Sequence, residues 1–320
     1  MTAIDNGALT SDITFVVVNW NTVHLLDGCL SAIVNHSPPG LRCEVVVVDN
    51  ASTDGSVEHI AEKWPDVKLI ANDENVGFCK ANNQAIRASE SSYVMLVNTD
   101  AILSADCIEV MMGYMAADQT AAVVGPRLQY ANGRFQRWTA GQSLTLGTCA
   151  SYLLGLDRLT RRFPGIRSMY LATDTDRPFR PGWVTSAAML LRRQALEEIG
   201  LLDESIFLYM DDVDLCQRAT EAGWNVWYAA DTTVVHYMGS SSVRNTGKAS
   251  PEALRALNRW YERHHGKVSA NLLRVLEVTG FSSRAILCGL AGVLGDDDAK
   301  RRRAKAHWDL VKTSVGVDGA

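Results

Sequence analysis

Two adjacent acidic residues follow an aromatic-rich apolar run near position 211 of this 320-residue chain. The run is Ile206–Met210, the acids are Asp211 and Asp212, and a helical pattern begins directly after them. A carboxylate in this position can remove a proton from a hydroxyl group or bind a cation. Neighbouring carboxylates also repel each other, which raises the pKa of one of them. The competing interpretation is structural, because Asp211, Asp212 and Asp214 would all interact favourably with the dipole of the helix that they begin.

Two further apolar strands end in groups that can bind a metal ion. The strand Tyr93–Val97 leads into Asn98, Thr99 and Asp100, and a short strand at 234–235 leads into His236. A carboxylate is a ligand for Mg²⁺, and an imidazole beside it also suits Mn²⁺. A lone acid at a strand end more often lies in a solvated turn, and a lone histidine there is more often structural. The hypothesis of one shared site depends on these strand ends meeting.

The elements that must position these side chains alternate between strand and helix. Apolar β-branched strands are predicted at 13–18, 44–48, 67–70 and 93–97, with helices at 24–35, 56–63 and 78–89. This alternation indicates βαβ units and a mainly parallel sheet flanked by helices. Ligands of such sheets bind beyond the carboxyl ends of the strands. Asn19, Asp49 and Asp100 are all predicted to lie there.

The turn at 49–55 begins with an acid and contains no phosphate-binding glycine motif. Thr53 or Asp54 could cap the following helix, so a well-capped turn is the simpler interpretation. Asp49 is poorly placed for capping and well placed to accept a hydrogen bond from the N–H of a nucleobase. The chain contains neither GxGxxG nor GxxxxGK[ST], so the dinucleotide and P-loop classes lack their usual cradle.

The second half of the chain is less regular. We predict a strand at 121–128 with an edge or bend at Pro126, and a long loop with one short helix at 136–180. A strand at 183–191 and helices at 194–200 and 213–222 follow, and a mostly helical tail starts at Pro251. Loops as long as 136–180 are uncommon unless they are functional or mobile.

Composition excludes several classes of protein. A hydrophobic fraction of 47% and a charged fraction of 21% are typical of a globular protein, and the net charge of −5 argues against general nucleic-acid binding. The seven cysteines form no CxxC pair, which favours reduced thiols in the cytoplasm. We expect no signal peptide at the polar N-terminus, and we find no apolar run of the roughly 18–20 residues that a transmembrane helix needs.

Six segments, in this order and spacing, resemble family 2 glycosyltransferases, and most closely their rhamnosyltransferase-type branch. The segments are 18–21 (VNWN), 48–55 (VDNASTDG), 74–78 (ENVGF), 98–100 (NTD), 189–193 (MLLRR) and 207–215 (FLYMDDVDL). The resemblance covers roughly 13–242. It implies a GT-A fold, a nucleotide-sugar donor, a divalent metal (Mn²⁺ or Mg²⁺) and inversion at the anomeric carbon.

The resemblance also implies roles for individual residues. Asp212 would be the catalytic base, Asp211 and Trp183 would bind the acceptor, and Asp100 and His236 would bind the metal. The nucleotide would be bound by Asn19, Asn21, Asp49, Asn50, Asn75, Gly77, Lys80, Asn98 and Thr99, with Asp49 reading a pyrimidine base. The sequence departs from the family pattern at Asn98, which replaces the first acid of the DxD motif, and at Ser186, which replaces a glycine.

We therefore expect a GT-A domain at 1–248, with a nucleotide-binding half at about 13–128 and an acceptor half at about 129–248, and a C-terminal helical extension at 249–320. The expected reaction transfers L-rhamnose from dTDP-L-rhamnose, or another sugar from a dTDP- or UDP-sugar, to a saccharide or polyprenyl-linked saccharide in cell-surface polysaccharide synthesis.

The extension pairs an apolar segment, 281–294, with a basic one, 300–305. This pattern suits peripheral contact with the inner face of the plasma membrane and equally suits a helix packed on the domain. A homodimer is a further candidate assembly. The alternative functions are a sugar-phosphate nucleotidyltransferase and a non-catalytic nucleotide-sugar binding protein.

Overall fold

A computed structural model describes residues 12–237, apart from 161, 164 and 172, and residues 250–316. The strands are β1 (Ile13–Asn19), β2 (Cys43–Asp49), β3 (Lys68–Ala71), β4 (Tyr93–Asn98), β5 (Ala101–Leu103), β6 (Ala121–Gln129), β7 (Ala140–Gly141), β8 (Trp183–Val184), β9 (Ala188–Arg192) and β10 (Asn225–His236). The helices are α1 (Val23–His36), α2 (Ser56–Lys63), α3 (Phe78–Arg87), α4 (Cys107–Ala117), α5 (Leu146–Leu153), α6 (Arg193–Ile199), α7 (Asp211–Glu221), α8 (Pro251–Leu294) and α9 (Asp298–Ser314). The predicted domain boundary at 248/249 lies outside the described residues.

Eight strands form one mixed sheet in the order β3-β2-β1-β4-β9-β6-β10-β5. The first four strands are parallel, as the βαβ pattern predicts, whereas β9 runs antiparallel to both β4 and β6. The central strands are buried on both faces: Val16 and Leu96 pack into one core, and Val17 and Val97 pack into the other. Burial of both faces explains why these strands are continuous apolar runs rather than alternating ones.

The parallel register brings the predicted strand ends together. Asn19 of β1 lies opposite Asp49 of β2, and Val18 lies opposite Asn98 of β4. On the other side of the sheet, His236 of β10 pairs antiparallel with Ala101 of β5, directly after Asp100. The polar residues that follow β1, β2, β4 and β10 therefore meet at one edge of the sheet.

The predicted continuous strand at 183–191 is wrong. Trp183 and Val184 pair with β7 in a separate two-stranded sheet, and Ala188 begins β9 in the main sheet. The chain turns between them, where the amide of Thr185 donates to the carbonyl of Thr139 (3.0 Å) and the Ala187 carbonyl accepts from the amide of Asn98 (2.9 Å). An unbroken apolar sequence gives no local signal for this change of sheet.

Pro126, predicted to mark an edge or bend, lies within β6 in the interior of the sheet. Its neighbour strand β10 absorbs the irregularity, because the β6–β10 register shifts between Ala229 and Thr233. The long loop at 136–180 is confirmed and contains one α-helix, α5. Three elements were not predicted: the short strands β5 and β7 and the helix α4.

The helical tail is confirmed as two helices, α8 and α9, that pack against each other, and α8 also packs against α5. Gly280 of α8 lies so close to α5 that an added Cβ would be 2.5 Å from the carbonyl oxygen of Leu153. The helix α8 breaks at Gly266, which has φ +77° and ψ 166°. By length and composition alone, α8 is long and apolar enough to cross a membrane. The sequence analysis expected no apolar run of this length. Core helices can pass the same test.

Candidate functional site

A cavity of about 440 Å³ opens at the edge of the sheet where the polar strand ends meet. Three groups of polar residues contribute to its wall: the end of β4 with Asn98, Thr99 and Asp100, the start of α7, and the end of β10. Aromatic side chains complete it. These aromatic residues are Trp20, Phe78, Trp138, Tyr152, Tyr170, Trp183, Phe207, Tyr209 and Phe281.

Most of the residues expected to bind a ligand lie on this wall. They are Asn50, Asn75, Gly77, Asn98, Thr99, Asp100, Trp183, Asp211, Asp212 and His236. Four residues expected to bind the nucleotide do not line the cavity: Asn19 and Asp49 are fully buried, and Asn21 and Lys80 are exposed elsewhere.

Asn19 and Asp49 join the loops that follow β1 and β2. The Asn19 amide donates to Asp49 Oδ2 (2.7 Å), and the backbone N–H of Ser52 donates to Asp49 Oδ1 (2.8 Å). Asn21, with φ +54°, accepts from the backbone N–H of Thr53 through its side chain (2.7 Å). Because buried carboxylates require hydrogen-bond partners, Asp49 holds this loop pair in shape beneath the cavity.

Asp100, which is buried, forms a pair with the partly buried His236 in the cavity wall. His236 Nε2 lies 3.2 Å from Asp100 Oδ1, and His236 Nδ1 lies 3.0 Å from Gln136 Oε1. The Gln136 amide nitrogen donates to the backbone carbonyl of His236, so its oxygen faces Nδ1 and accepts the Nδ1 proton. In the neutral imidazole this leaves the Nε2 lone pair facing a carboxylate oxygen, an arrangement that suits a cation bound by both.

The donor set and its spacing therefore fit a divalent metal. Two ligands at about 2.1 Å from a metal in octahedral geometry lie about 3.0 Å apart, close to the observed separation. The hydrogen bond from the imidazole to Gln136 is the kind of outer contact that orients a metal-binding histidine. Within the described part of the chain, no group of three or more His, Cys, Asp and Glu side chains converges. Most of the coordination sphere would be left to a bound ligand and water.

The acids of α7 reach the cavity through a strained backbone. Tyr209 and Met210 both have left-handed φ angles, +65° and +69°, which are unfavourable for side chains of this size. Asp211 is buried, and its Oδ2 atom has no hydrogen-bond partner within the described residues. Asp212 is partly exposed, and its Oδ1 accepts from the Val213 N–H (2.8 Å). Desolvation by the surrounding protein, together with the charge of Asp211, raises the pKa of Asp212 to about 8, and desolvation also raises the pKa of Asp211.

A third acid of α7, Asp214, anchors this helix to the C-terminal extension. Asp214 is buried, and it accepts a hydrogen bond from Trp260 Nε1 (3.1 Å) and lies 3.2 Å from His264 Nε2. Its other oxygen accepts from Arg218 (2.8 Å), whose guanidinium also donates to the carbonyls of residues 199, 200 and 201. The extension thus fixes the helix that carries Asp211 and Asp212.

Gly77 packs against the segment that leads into α7. It has φ +88° and ψ 168°, a backbone conformation available almost only to glycine, and an added Cβ would be 2.7 Å from the Phe207 ring. The next residue, Phe78, donates its N–H to the Phe207 carbonyl (2.8 Å). A side chain at position 77 would therefore displace the backbone before Asp211.

We predict that Gly77→Ala lowers the free energy of unfolding by about 1–3 kcal/mol, the cost of a strained backbone. Urea denaturation measures this change. Gly113→Ala is the matched control, because Gly113 lies in α4 with nothing within 4 Å of the added Cβ, and alanine favours helix. Equal stability of the two variants would contradict the packing described for Gly77.

The cavity wall around Trp183 is an aromatic cluster that sequence reasoning found only in part. Tyr170 packs edge-on against Trp138, Tyr152 and Trp183, with ring centroids 6.5, 4.9 and 5.9 Å apart. Trp183, the member that was predicted, is buried in this wall and donates its indole N–H to the Met169 carbonyl (3.1 Å). Aromatic side chains in a cavity wall offer a large apolar surface to a ligand.

Residues missed from the sequence act through distant partners. Gln136 contacts His236 across a separation of 100 residues, and Trp260 and His264 contact Asp214 from outside the region of family resemblance. A lone glutamine after a turn carries no sequence signal of this role. These residues can be identified only from the three-dimensional structure.

Comparisons with known proteins agree with this architecture. The sequence model of the family "Glycosyl transferase family 2" matches residues 14–200. An N-acetylglucosaminyl-diphospho-decaprenol L-rhamnosyltransferase of Mycobacterium tuberculosis is 26% identical over 63% of this chain and 68% of its own length. A dTDP-rhamnosyl transferase, RfbF, of Shigella flexneri is 24% identical over 64% of each chain.

Solved structures show the same fold at low sequence identity. A mannosyltransferase of Pyrobaculum calidifontis, solved with GDP-Man and Mn²⁺, is 18% identical with a TM-score of 0.57 over 97% of this chain and 87% of its own. GalNAc-T7, solved with UDP, GalNAc and Mn²⁺, is 14% identical with a TM-score of 0.55 over 81% of this chain and 49% of its own. The predicted GT-A fold is thereby confirmed, and with it the prediction of glycosyl transfer over nucleotidyl transfer. The chain belongs to family 2 of the glycosyltransferases and is an enzyme that uses a nucleotide-sugar donor.

Proposed function

We propose that this chain is a metal-dependent, inverting rhamnosyltransferase that transfers L-rhamnose from dTDP-L-rhamnose to a hydroxyl of a saccharide or lipid-linked saccharide acceptor. The observation that carries this proposal is the single cavity that contains the Asp100–His236 pair and the carboxylate of Asp212. A site for a cation and a base are both needed for this reaction, and one cavity provides them.

Asp100 and His236 would hold Mn²⁺ or Mg²⁺. The bound cation supplies positive charge to the diphosphate of the donor, which makes it a better leaving group. Asn98, which replaces an acid of the family motif, can contribute an amide rather than a charge. The Mn²⁺ in the two structural neighbours supports a divalent ion for this chain, and an imidazole ligand suits Mn²⁺.

The nucleotide would lie along the ends of β1, β2 and β4. Asn50, Asn75, Gly77, Asn98 and Thr99 face the cavity and can contact the nucleotide directly. Asn19, Asn21 and Asp49 would act indirectly, by holding the two loops beneath the nucleotide in shape. Lys80 would reach a phosphate from the exposed side of α3.

Asp212 would act as the general base. It would take the proton of an acceptor hydroxyl as that oxygen attacks the anomeric carbon from the face opposite the diphosphate. A new C–O bond forms, the bond between the anomeric carbon and the diphosphate oxygen breaks, and the configuration is inverted. Asp211 would hydrogen-bond the acceptor through Oδ2, and Trp183 would pack against its sugar ring.

The names of the relatives support the choice of donor and acceptor. The Shigella relative is a dTDP-rhamnosyl transferase, and the mycobacterial one is named for a decaprenol diphosphate acceptor. A lipid-linked acceptor for this chain would place it in the cytoplasm with peripheral contact to the inner face of the plasma membrane. A homodimer stays a prediction.

A panel of nucleotide sugars tests the donor. We expect dTDP-L-rhamnose with Mn²⁺ to raise the midpoint of thermal unfolding more than UDP- or GDP-sugars do, because a ligand that binds only the native state stabilises it. At a concentration of 100 times Kd the gain is about 2.7 kcal/mol. Equal shifts for all sugars, or a larger shift for a purine nucleotide sugar, would contradict the proposed donor.

A further inference from the structure

We propose that an exposed leucine–arginine loop beside the cavity, rather than the basic C-terminal helix, attaches this enzyme to an anionic lipid surface. This proposal rests on the proposed function, because a lipid-linked acceptor must be reached at such a surface. We define the loop by its exposed apolar and basic side chains. They are Leu154, Leu156, Leu159, Phe163, Arg158, Arg162 and Arg167.

The loop reverses the ordinary pattern of burial. Leu156 and Leu159 are 44% and 45% exposed and Phe163 is 52% exposed, whereas the intervening Asp157 is only 2% exposed. Leucine is usually buried and aspartate usually exposed, and a group of exposed apolar side chains marks an interaction surface. This reversed burial of leucine and aspartate therefore points to a partner that covers the leucines.

An internal ion pair holds the loop in this orientation. Arg137 binds the buried carboxylate of Asp157, donates to the Leu171 carbonyl (2.8 Å) and lies 5.5 Å from the centroid of the Tyr152 ring. Because Asp157 is fixed inward within a short 3₁₀ helix, Leu156–Leu159, its neighbours are turned outward. The exposure of the leucines is thus built into the fold.

The charge of the loop selects the partner. Within the described part of the chain, Arg158, Arg162 and Arg167 form no ion pair with a carboxylate, although the whole chain carries a net charge of −5. Arginines interleaved with exposed apolar side chains match the interface of an anionic membrane. A second copy of the chain fits less well, because a two-fold interface through this loop would bring the arginines of both copies together.

The C-terminal basic segment is less available. Lys300 pairs with Asp297 (3.4 Å), and Arg301 pairs with Asp296 (2.6 Å) and Asp298 (3.0 Å). Part of the charge that the sequence shows at 300–305 is therefore neutralised by the preceding acids. Arg302 and Arg303 remain exposed, and they provide a matched control for the loop arginines.

The loop is continuous with the cavity and with one exposed face of α8. Tyr152 and Leu153 line the cavity, and Leu154 follows them directly. Arg284 of α8 donates to the Tyr152 carbonyl, and Leu287, 67% exposed, lies one turn further along the same helix face. A membrane that covers the loop would therefore lie next to the acceptor side of the site, where a lipid-linked sugar could enter.

Vesicle sedimentation tests the proposal with the full chain in the absence of nucleotide and metal. The probe is phosphatidylcholine vesicles with and without phosphatidylglycerol. We expect binding only to the anionic vesicles, and we expect Arg158→Gln combined with Arg162→Gln to weaken it about 25-fold, since one arginine near such a surface contributes about fivefold. Leu156→Ser combined with Leu159→Ser should weaken it at least tenfold.

Arg302→Gln combined with Arg303→Gln should change vesicle binding less than threefold. A larger loss in this control than in the loop variants would overturn the proposal in favour of the C-terminal helix. Equal binding by all variants would also overturn it, as would loss of a dimer in sedimentation velocity when the leucines are replaced. Donor binding, measured separately by thermal shift, should be unchanged in the loop variants, so a wrong donor assignment cannot be mistaken for a failure of the membrane contact.

Discussion

Asp212→Asn should lower the turnover of sugar transfer by about 10²–10⁴-fold, the contribution typical of a general base. The asparagine keeps the size of the side chain and can still accept from the Val213 N–H, but it cannot take a proton from the acceptor hydroxyl. Release of the nucleoside diphosphate in the presence of acceptor measures turnover. The affinity for the nucleotide should be nearly unchanged, because Asp212 lies on α7 rather than at the strand ends that contact the nucleotide.

Asp66→Asn is the control for this change, since Asp66 is exposed between α2 and β3 and the substitution is chemically identical. Turnover near that of the wild type in Asp212→Asn would show that another group is the base.

The pH dependence of stability provides a second control. Because the pKa of Asp212 is raised in the folded chain, this side chain keeps a proton there that it loses in the unfolded chain above about pH 3.8.

Stability should therefore fall as the pH rises between these two pKa values, because the native state binds more protons than the unfolded state there. Asp212→Asn removes this pH-dependent loss of stability, so the variant should be at least as stable as the wild type at neutral pH. The rate should follow the opposite trend, rising with pH through the pKa of Asp212 because only the carboxylate can act as a base. A destabilised variant, or a rate that falls with pH in this range, would contradict the assignment.

Asp100→Asn should weaken Mn²⁺-dependent binding of a nucleoside diphosphate by at least 100-fold. Loss of an outer contact to a metal ligand typically costs about 10–100-fold in metal affinity, and Asp100 would be a direct ligand. The amide removes the negative charge but keeps the shape of the side chain in its buried position. Isothermal titration with dTDP in Mn²⁺, repeated in EDTA, measures the effect.

The two titrations separate metal binding from damage to the fold. In EDTA the variant and the wild type should bind dTDP equally weakly, and only the Mn²⁺-dependent gain should disappear. Gln136→Leu should lose an intermediate part of that gain, because it releases the His236 ring without removing a ligand. If Asp100→Asn kept the full Mn²⁺-dependent gain, the metal would bind elsewhere.

The strands and helices of the first hundred residues, and their parallel arrangement, could be predicted because the physical signal is local. Continuous apolar β-branched runs alternate with amphipathic helices, and this pattern has few solutions other than a parallel sheet. The helix Ser56–Lys63 and the strand ends at Asn19 and Asp49 follow from it directly. Asp100 and His236 also meet, as the hypothesis of one site required, but they do so through the pairing of β10 with β5, a strand that the sequence did not predict.

What could not be predicted depends on contacts that are distant in sequence. The break between Val184 and Ala188 arises where one apolar run serves two sheets, and the run itself does not show it. Asp49 was expected to face a nucleobase. Instead its two oxygens accept hydrogen bonds from Asn19, thirty residues away, and from Ser52, across a turn. A buried carboxylate needs such partners, and the sequence does not show which residues supply them. The anchoring of Asp214 by Trp260 likewise depends on how α8 crosses α7.

The claim on which the rest depends is that Asp100 and His236 hold one cation in the cavity that also contains Asp212. Anomalous scattering at the manganese edge, from crystals grown with Mn²⁺ and dTDP, tests it most directly. We predict a single strong peak coordinated by Asp100 Oδ1 and His236 Nε2 and by the diphosphate, on the wall of the same cavity as Asp212. A peak bound to other residues, or a diphosphate bound in this cavity with no manganese beside Asp100, would contradict the account.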